Sequence, residues 1–198
     1  MPAHAEHPLA FAPAYLRTLG RAILGSPHFA THTLNRDFVQ TRGFSLVFRD
    51  DGRAEVERGF PAFVPYLERA LRADCNAFYL NPLELGRGSR VDPHVDRSLR
   101  SYCKEILPPV SVSVLYVLVP PALSGGRLVL ARGKKQLACV RPVAGSLVFF
   151  DGDLTHSIER VESAGSRLSL VCEQYSLAPE EWERIPRFAL ETRARTYS

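Results

Sequence analysis

Apolar and polar positions fall into two textures along this chain. Over residues 12–24 the apolar side chains recur at helical spacing, and Gly25 and Pro27 end the run, so a helix is expected there. Residues 44–49 read as a strand. Asp50, Asp51 and Gly52 give a turn, and 54–57 is expected to return as its hairpin partner. Residues 60–72 read as a second amphipathic helix with Phe63, Leu67, Ala70 and Leu71 on one side. From Cys75 onward short apolar or alternating runs follow one another, separated by Gly, Pro and Asp. Strands are expected at 77–85, 91–96, 110–119, 127–131, 136–141, 146–150, 156–161 and 167–175. Eight strands with turn signals between them predict a mainly β fold with flanking helices: a double-stranded β-helix, or jelly roll. The helical front half is expected to cover one sheet, and the tail from Pro179 to form a short capping helix. A single domain over 1–198 is expected, with N-terminal support (1–74), a jelly-roll catalytic core (75–176) and a C-terminal tail (177–198).

Composition narrows the class without choosing a function. With 198 residues, 45% hydrophobic and 23% charged, the chain can bury a real core. A net charge of +4 favours an acidic small molecule, an acidic protein or nucleic acid as partner, and fits a mildly basic solvated surface equally well. Cys75, Cys103, Cys139 and Cys172 form no CxxC pair and read as reduced thiols of a cytoplasmic protein. Glu6, His7 and Arg17 interrupt the first twenty residues, so no secretory signal is expected. No apolar run approaches the roughly 20 residues of a membrane helix.

The chemistry-bearing residues are His94 and Asp96 in DPHVD, His156 in DLTH and Arg167 in SRLSL. On an extended strand, positions two apart point the same way, so His94 and Asp96 share a face. Two histidines and one carboxylate fill one face of an octahedral ion and leave the other open, the ligand set of non-heme Fe(II) oxygenases. HxD alone is weak, because a strand histidine is more often a hydrogen-bonded structural residue. Asp92 and Pro93 place His94 at a barrel mouth, and His156 begins a strand after an acidic turn. The strand of Arg167 is expected to be the hairpin partner of the His156 strand across Glu162, Ser163, Ala164 and Gly165. Period two puts Arg167, Ser169, Val171, Glu173 and Tyr175 on one face, with Leu168, Leu170 and Cys172 on the other. A buried arginine needs a carboxylate, either a protein acid or the distal carboxylate of a 2-oxo acid, and the metal set favours the latter.

Over roughly 76–176 the order of these pieces resembles the Fe(II)- and 2-oxoglutarate-dependent dioxygenases, most closely the prolyl-hydroxylase-like branch. The carriers are DPHVD, SVSVLYVLV before SGGRLVL, VRPVAGSLVFF, DLTHSIERV and SRLSL. The resemblance implies that His94, Asp96 and His156 bind Fe(II). It also implies that Arg167 pairs the far carboxylate of 2-oxoglutarate, and that Tyr116 and Ser169 add hydroxyls to that carboxylate. It implies O2 as the oxidant, with succinate and CO2 released. SGGRL carries Arg127 where the family's turn has an acid, and the family's Asn-x-Tyr-x-x-Gly lacks its tyrosine here, so Tyr79 on the same face is a candidate replacement. The pocket is expected to be lined by Leu115, Val117 and Phe149 or Phe150.

Other features carry blander readings. His28 and His32 are surface residues, His4 and His7 belong to a loose terminus, and Arg132, Lys134 and Lys135 form a solvated hairpin tip. Trp182 is a packing anchor. Arg97, Arg100, Tyr102 and Lys104 follow the HxD and are candidates for substrate recognition. The prime substrate is expected to be a peptide, an amino acid or another small metabolite, with nucleic acid still open and no membrane partner. Two alternatives stand: a metal-dependent cupin-type enzyme that uses no 2-oxoglutarate, and a non-enzymatic jelly-roll binding module.

Overall fold

The structure is a computed structural model that describes residues 2–31 and 37–193. His32 lies outside the described residues. The chain runs through β1 (His4–His7), α1 (Pro13–Leu24), β2 (Ala30–Thr31), β3 (Phe38–Gly43), β4 (Ser45–Arg49), α2 (Arg53–Gly59) and α3 (Val64–Ala70). It continues through β5 (Ala77–His94), β6 (Ser111–Leu118), β7 (Leu128–Arg132), β8 (Lys135–Val140), β9 (Leu147–Asp151), β10 (Thr155–Ile158) and β11 (Arg167–Tyr175). A short α4 (Pro179–Trp182) and β12 (Phe188–Glu191) complete it.

All strand pairs are antiparallel, and β5 is the spine. Its first half pairs with β11, from Ala77 opposite Tyr175 to Leu85 opposite Arg167, and on its other edge with β4 and then β3. Its far end pairs with β10, setting His94 directly opposite His156. Between these halves four residues, 86–89, bulge out opposite Gln40, since Thr41 faces Leu85 and Val39 faces Arg90. Gly88 takes φ +86° there, a left-handed conformation that a residue with a Cβ adopts at a cost. The bulge is tied down by hydrogen bonds from Gly88 N to Val161 O and from Ser89 Oγ to Gln40 O. At this crease β11 gives way to β10 and the sheet curls over. The order β1-β9-β6-β11-β5 thus continues as β10-β7-β8. This curled antiparallel sheet is the jelly roll that the strand pattern predicts.

Each face of the curled sheet has its own core. The outer face carries Phe78, Leu80, Leu115, Val117, Leu168, Leu170 and Cys172, and α1 buries Leu16, Leu19 and Ile23 against it with Phe63, Tyr66 and Leu67. Burying each such side chain stabilises the fold by about 1.5–3 kcal/mol. Tyr66 shares a hydrogen bond with Ser113 at 2.8 Å, and Gln174 Nε2 donates to Ala70 O, which satisfies the polar groups under α3. The inner face holds Val112, Val114, Tyr116, Val148 and Phe150 against Leu128, Leu130 and Leu154 from the folded-over half.

Several expectations are corrected. Residues 54–57 belong to helix α2, not to a hairpin strand, because both edges of β4 are taken by β5 and β12. The helix over 60–72 is shorter: Pro61 opens a 3-10 turn, Pro65 restarts the helix as α3, and it ends at Ala70. The runs 77–85 and 91–94 are one strand with a bulge, and residues 95–96 lie beyond its end. His4 and His7 are not in a loose terminus but in β1, which adds to β9 with His4 opposite Phe150. β10 and β11 are not hairpin partners; each pairs with a different half of β5. Leu115 and Val117 face the helices, so the pocket takes Val114 and Tyr116 in their place, while of the two phenylalanines Phe150 lines it as expected.

Candidate active site

The cavity lies inside the curl, and its polar side chains come from four strands and one turn. His94 ends β5 and His156 sits near the start of β10; as cross-strand partners their ring centroids are 4.3 Å apart. Asp96, two residues beyond the ladder, is buried and reaches both rings: Oδ1 lies 3.2 Å from His94 Nε2 and Oδ2 lies 3.4 Å from His156 Nε2. The three side chains offer donor atoms that all lie within 4.8 Å of one another.

Main-chain contacts fix which ring nitrogen is free. His94 Nδ1 lies 2.8 Å from Asp92 O, and His156 Nδ1 lies 3.2 Å from Leu154 O. A carbonyl only accepts, so both Nδ1 atoms carry the proton and both Nε2 atoms keep a lone pair. His94 Nε2 is buried and has no hydrogen-bond partner. Imidazoles whose outer nitrogen is bonded to a carbonyl while the inner one faces a shared point are arranged as metal ligands. Two imidazoles and one carboxylate are a set that would fit Fe(II).

The electrostatics fit the same arrangement. Burial lowers the His156 pKa, which favours the neutral, metal-binding form. Burial alone would raise the Asp96 carboxyl, but the facing His156 and His94 outweigh it and hold the pKa below the usual carboxylate range. Burial also works to lower the pKa of His94; Asp96 and the Asp92 carbonyl reverse this to a net rise.

Arg167 opens β11 at the other end of the cavity. It is 1% exposed, and its Nη1 donates to Ser169 Oγ at 3.2 Å. Among the described residues its Nε has no hydrogen-bond partner, nor does the Tyr116 hydroxyl, although the guanidinium carbon lies 5.3 Å from the Tyr116 ring. Among the described residues no carboxylate pairs with Arg167. Ser169 sits between Leu83 on β5 and Tyr116 on β6, so Arg167, Ser169 and Tyr116 form one cluster of donors. Gly126 takes φ +67°, and a Cβ there would lie 3.5 Å from Arg167 Nε, in contact with the guanidinium stem. Apolar side chains of Leu83, Val91, Val114, Leu128, Phe150 and Ile158 line the space between the two ends.

Tyr79 also lines the cavity, but it pairs with Glu173, six residues along β11 from Arg167. Its hydroxyl donates to Ser45 Oγ at 2.6 Å. Of the candidates after the HxD, Arg97 lines a groove that adjoins the cavity at His94 and Asp96, together with Phe38, Ser98, Ser101 and Glu191. Arg100 is tied to Ile106 O and Tyr102 to Glu191, while Lys104 is exposed. Arg127, in the place of the family's acid, makes a bidentate exposed pair with Glu159. Arg132 pairs with Asp151 and Asp153, and His28 is half-buried against Phe44 and Phe60. Trp182 donates to Asp50 and to Asn76 O, with the Arg49 guanidinium 3.8 Å above its ring. Glu173 has no assigned role in the sequence reading, although period two places it on the Arg167 face.

Comparison with known proteins agrees with this geometry. The sequence model of the 2OG-Fe(II) oxygenase superfamily matches residues 78–172, a span that runs from β5 through β11. No curated protein sequence matches the chain. Among solved structures, a Pseudomonas putida prolyl-4-hydroxylase is similar over 90% of this chain and 95% of its own, with TM-score 0.58 and 18% identity. A prolyl hydroxylase from Trichoplax adhaerens, solved with a hypoxia inducible factor oxygen degradation domain peptide fragment, is similar over 92% of this chain and 87% of its own, with TM-score 0.59 and 11% identity. HygX from Streptomyces hygroscopicus, solved with nickel and 2-oxoglutarate, is similar over 87% of this chain and 83% of its own, with TM-score 0.56 and 13% identity. No helix among the described residues is long and apolar enough to cross a membrane. Sequence match, curled sheet and convergent side chains agree: residues 78–172 form a domain of the 2OG-Fe(II) oxygenase superfamily.

Proposed function

We propose that the protein is an Fe(II)- and 2-oxoglutarate-dependent oxygenase that hydroxylates a peptidyl or amino-acid substrate and releases succinate and CO2. One observation carries this reading. Two imidazoles, each with Nδ1 committed to a carbonyl, turn their Nε2 atoms toward one buried carboxylate in a cavity that also holds a guanidinium without an acid partner. His94, Asp96 and His156 would hold the metal. Fe(II), bound with 2-oxoglutarate and O2, supplies the redox chemistry that side chains lack. Arg167 would bind the distal carboxylate through charge-assisted hydrogen bonds, and the hydroxyls of Ser169 and Tyr116 lie beside it to add to them. The apolar walls between the two ends exclude water from the cavity. The groove lined by Phe38, Arg97, Ser98, Ser101 and Glu191 adjoins His94 and Asp96 and is the approach for the prime substrate. A peptidyl substrate draws support from the Trichoplax relative, which was solved with a peptide fragment.

The test is an anaerobic titration with Fe(II) and 2-oxoglutarate, followed by the weak visible band of the complex, and then O2-dependent succinate release. His94→Ala and Asp96→Ala are expected to abolish both signals. A wild-type chain that binds neither iron nor 2-oxoglutarate sinks the reading. Iron binding without 2-oxoglutarate turnover would favour a metal enzyme of different chemistry.

A further inference from the structure

Metal and cosubstrate binding leave one acidic side chain of the cavity unused. Glu173 lies on β11, buried, on the face of Arg167 and near Asp96. Three donors converge on it. Ser98 Oγ donates to Oε1 at 2.5 Å, Ser98 N donates to Oε2 at 3.2 Å, and the Tyr175 hydroxyl donates to Oε2. Ser98 is two residues past Asp96 and opens the 3-10 turn Ser98–Ser101. Residues 95–97 belong to no strand or helix, so no ladder holds the Asp96 backbone. The supports on either side of it are the His94–His156 strand pair and the Glu173–Ser98 contact. Buried Leu99, against Tyr175, fixes the same turn by packing.

We propose that Glu173 is a positioning residue for the metal site: by anchoring Ser98 it aims the Asp96 carboxylate between the two imidazoles. The chemistry of the position requires an acid. A buried carboxyl group is costly unless its oxygens are hydrogen-bonded, and here a main-chain N–H and two hydroxyls face them. An amide keeps one acceptor oxygen and replaces the other with an NH2 that only donates, facing groups that already donate. The proposal rests on the oxygenase reading, and its test separates the two.

Glu173→Ala, Glu173→Gln, Ser98→Ala and the Glu173→Ala/Ser98→Ala double variant are titrated anaerobically with Fe(II) at saturating 2-oxoglutarate. The visible band is followed well below each variant's unfolding temperature. Partners that orient a metal ligand typically tune metal affinity by about 10–100-fold. Glu173→Ala is expected to raise the Fe(II) Kd about tenfold and Glu173→Gln by less. Ser98→Ala is expected to weaken binding about threefold, and the double variant to bind no worse than Glu173→Ala, because both changes break one contact. Thermal unfolding with and without Fe(II) supplies a second readout: the variants should lose more of the iron-induced rise in Tm than of the metal-free Tm. If Glu173→Ala fails to fold, Ser98→Ala decides. Wild-type iron affinity in folded variants, or equal Tm losses with and without iron, overturns the proposal. Absence of the band in the wild type instead overturns the oxygenase reading.

Discussion

Arg167 is the side chain whose cost and use are most closely linked. Burial pushes its pKa down, the nearby Tyr116 opposes that shift, and its Nε stays unsatisfied. A charge held this way destabilises the chain until an anion arrives. Arg167→Met, close in volume, is therefore expected to raise the stability of the ligand-free chain by about 1–4 kcal/mol. The same change should weaken 2-oxoglutarate binding by about 10–100-fold, the loss expected when charged hydrogen bonds are removed. Thermal unfolding without ligand and 2-oxoglutarate titration check the two halves, and a less stable variant with unchanged affinity contradicts the argument. At this scale much of the site is legible in the sequence. HxD spacing places two side chains on one face, and period two carries Arg167 to Ser169 and Glu173. Which parity of β6 faces inward is not legible. Tyr116 and its neighbours Leu115 and Val117 cannot share a pleat face, and it is the helices packed outside that claim Leu115 and Val117. The use of Glu173 is hidden as well, because its partner Ser98 lies 75 residues away in sequence.

Among the elements, α1 shows how the support is separate from the chemistry. Its buried side Leu16, Leu19 and Ile23 packs on the outer face of the sheet, while His94, Asp96, His156 and Arg167 line the cavity on the inner side. Leu19 is wholly buried, so Leu19→Ala should cost about 2–5 kcal/mol through lost transfer energy and a cavity. That corresponds to a Tm lower by roughly 5–15 °C for a chain of this size. Iron affinity measured below the transition should stay unchanged; a parallel loss of iron binding would mean that the outer core sets the geometry of the inner face. Long amphipathic elements such as α1 and β11 are legible because their periodicity runs for many residues. β1 and β12 are four residues each, too short to show a period, and their pairing with distant strands gives no local signal. The pairing of β10 and β11 follows the same logic. A short turn suggests a hairpin, but the crease in β5 sends each strand to a different half of the sheet.

For the whole molecule, the buried acid Glu173 couples the site to stability. Burial first, and the charge of Asp96 second, push its pKa from an ordinary 4.5 up to about 8, against the donors from Ser98 and Tyr175. A group that holds its proton more tightly when folded gives the native state more bound protons between those two values. Stability then falls as pH rises across that window. The contribution of Glu173 is full below about 4.5, is lost as pH rises through about 8, and is constant above. Asp96 runs the other way: its lowered pKa adds stability above the ordinary carboxylate value, which disappears as pH falls through the folded value. His94 and His156 also titrate, but they remain in a Glu173→Gln variant, so the difference between wild type and variant isolates Glu173 to first order. For the metal-free chain, the advantage of wild type over Glu173→Gln in Tm should shrink steadily from pH 5 to about 8 and then level off. A difference that stays flat over this range would mean that Glu173 is ionised throughout. Its three donors would then outweigh its burial, and the turn after Asp96 would be held by a full charge at every pH at which the fold is stable.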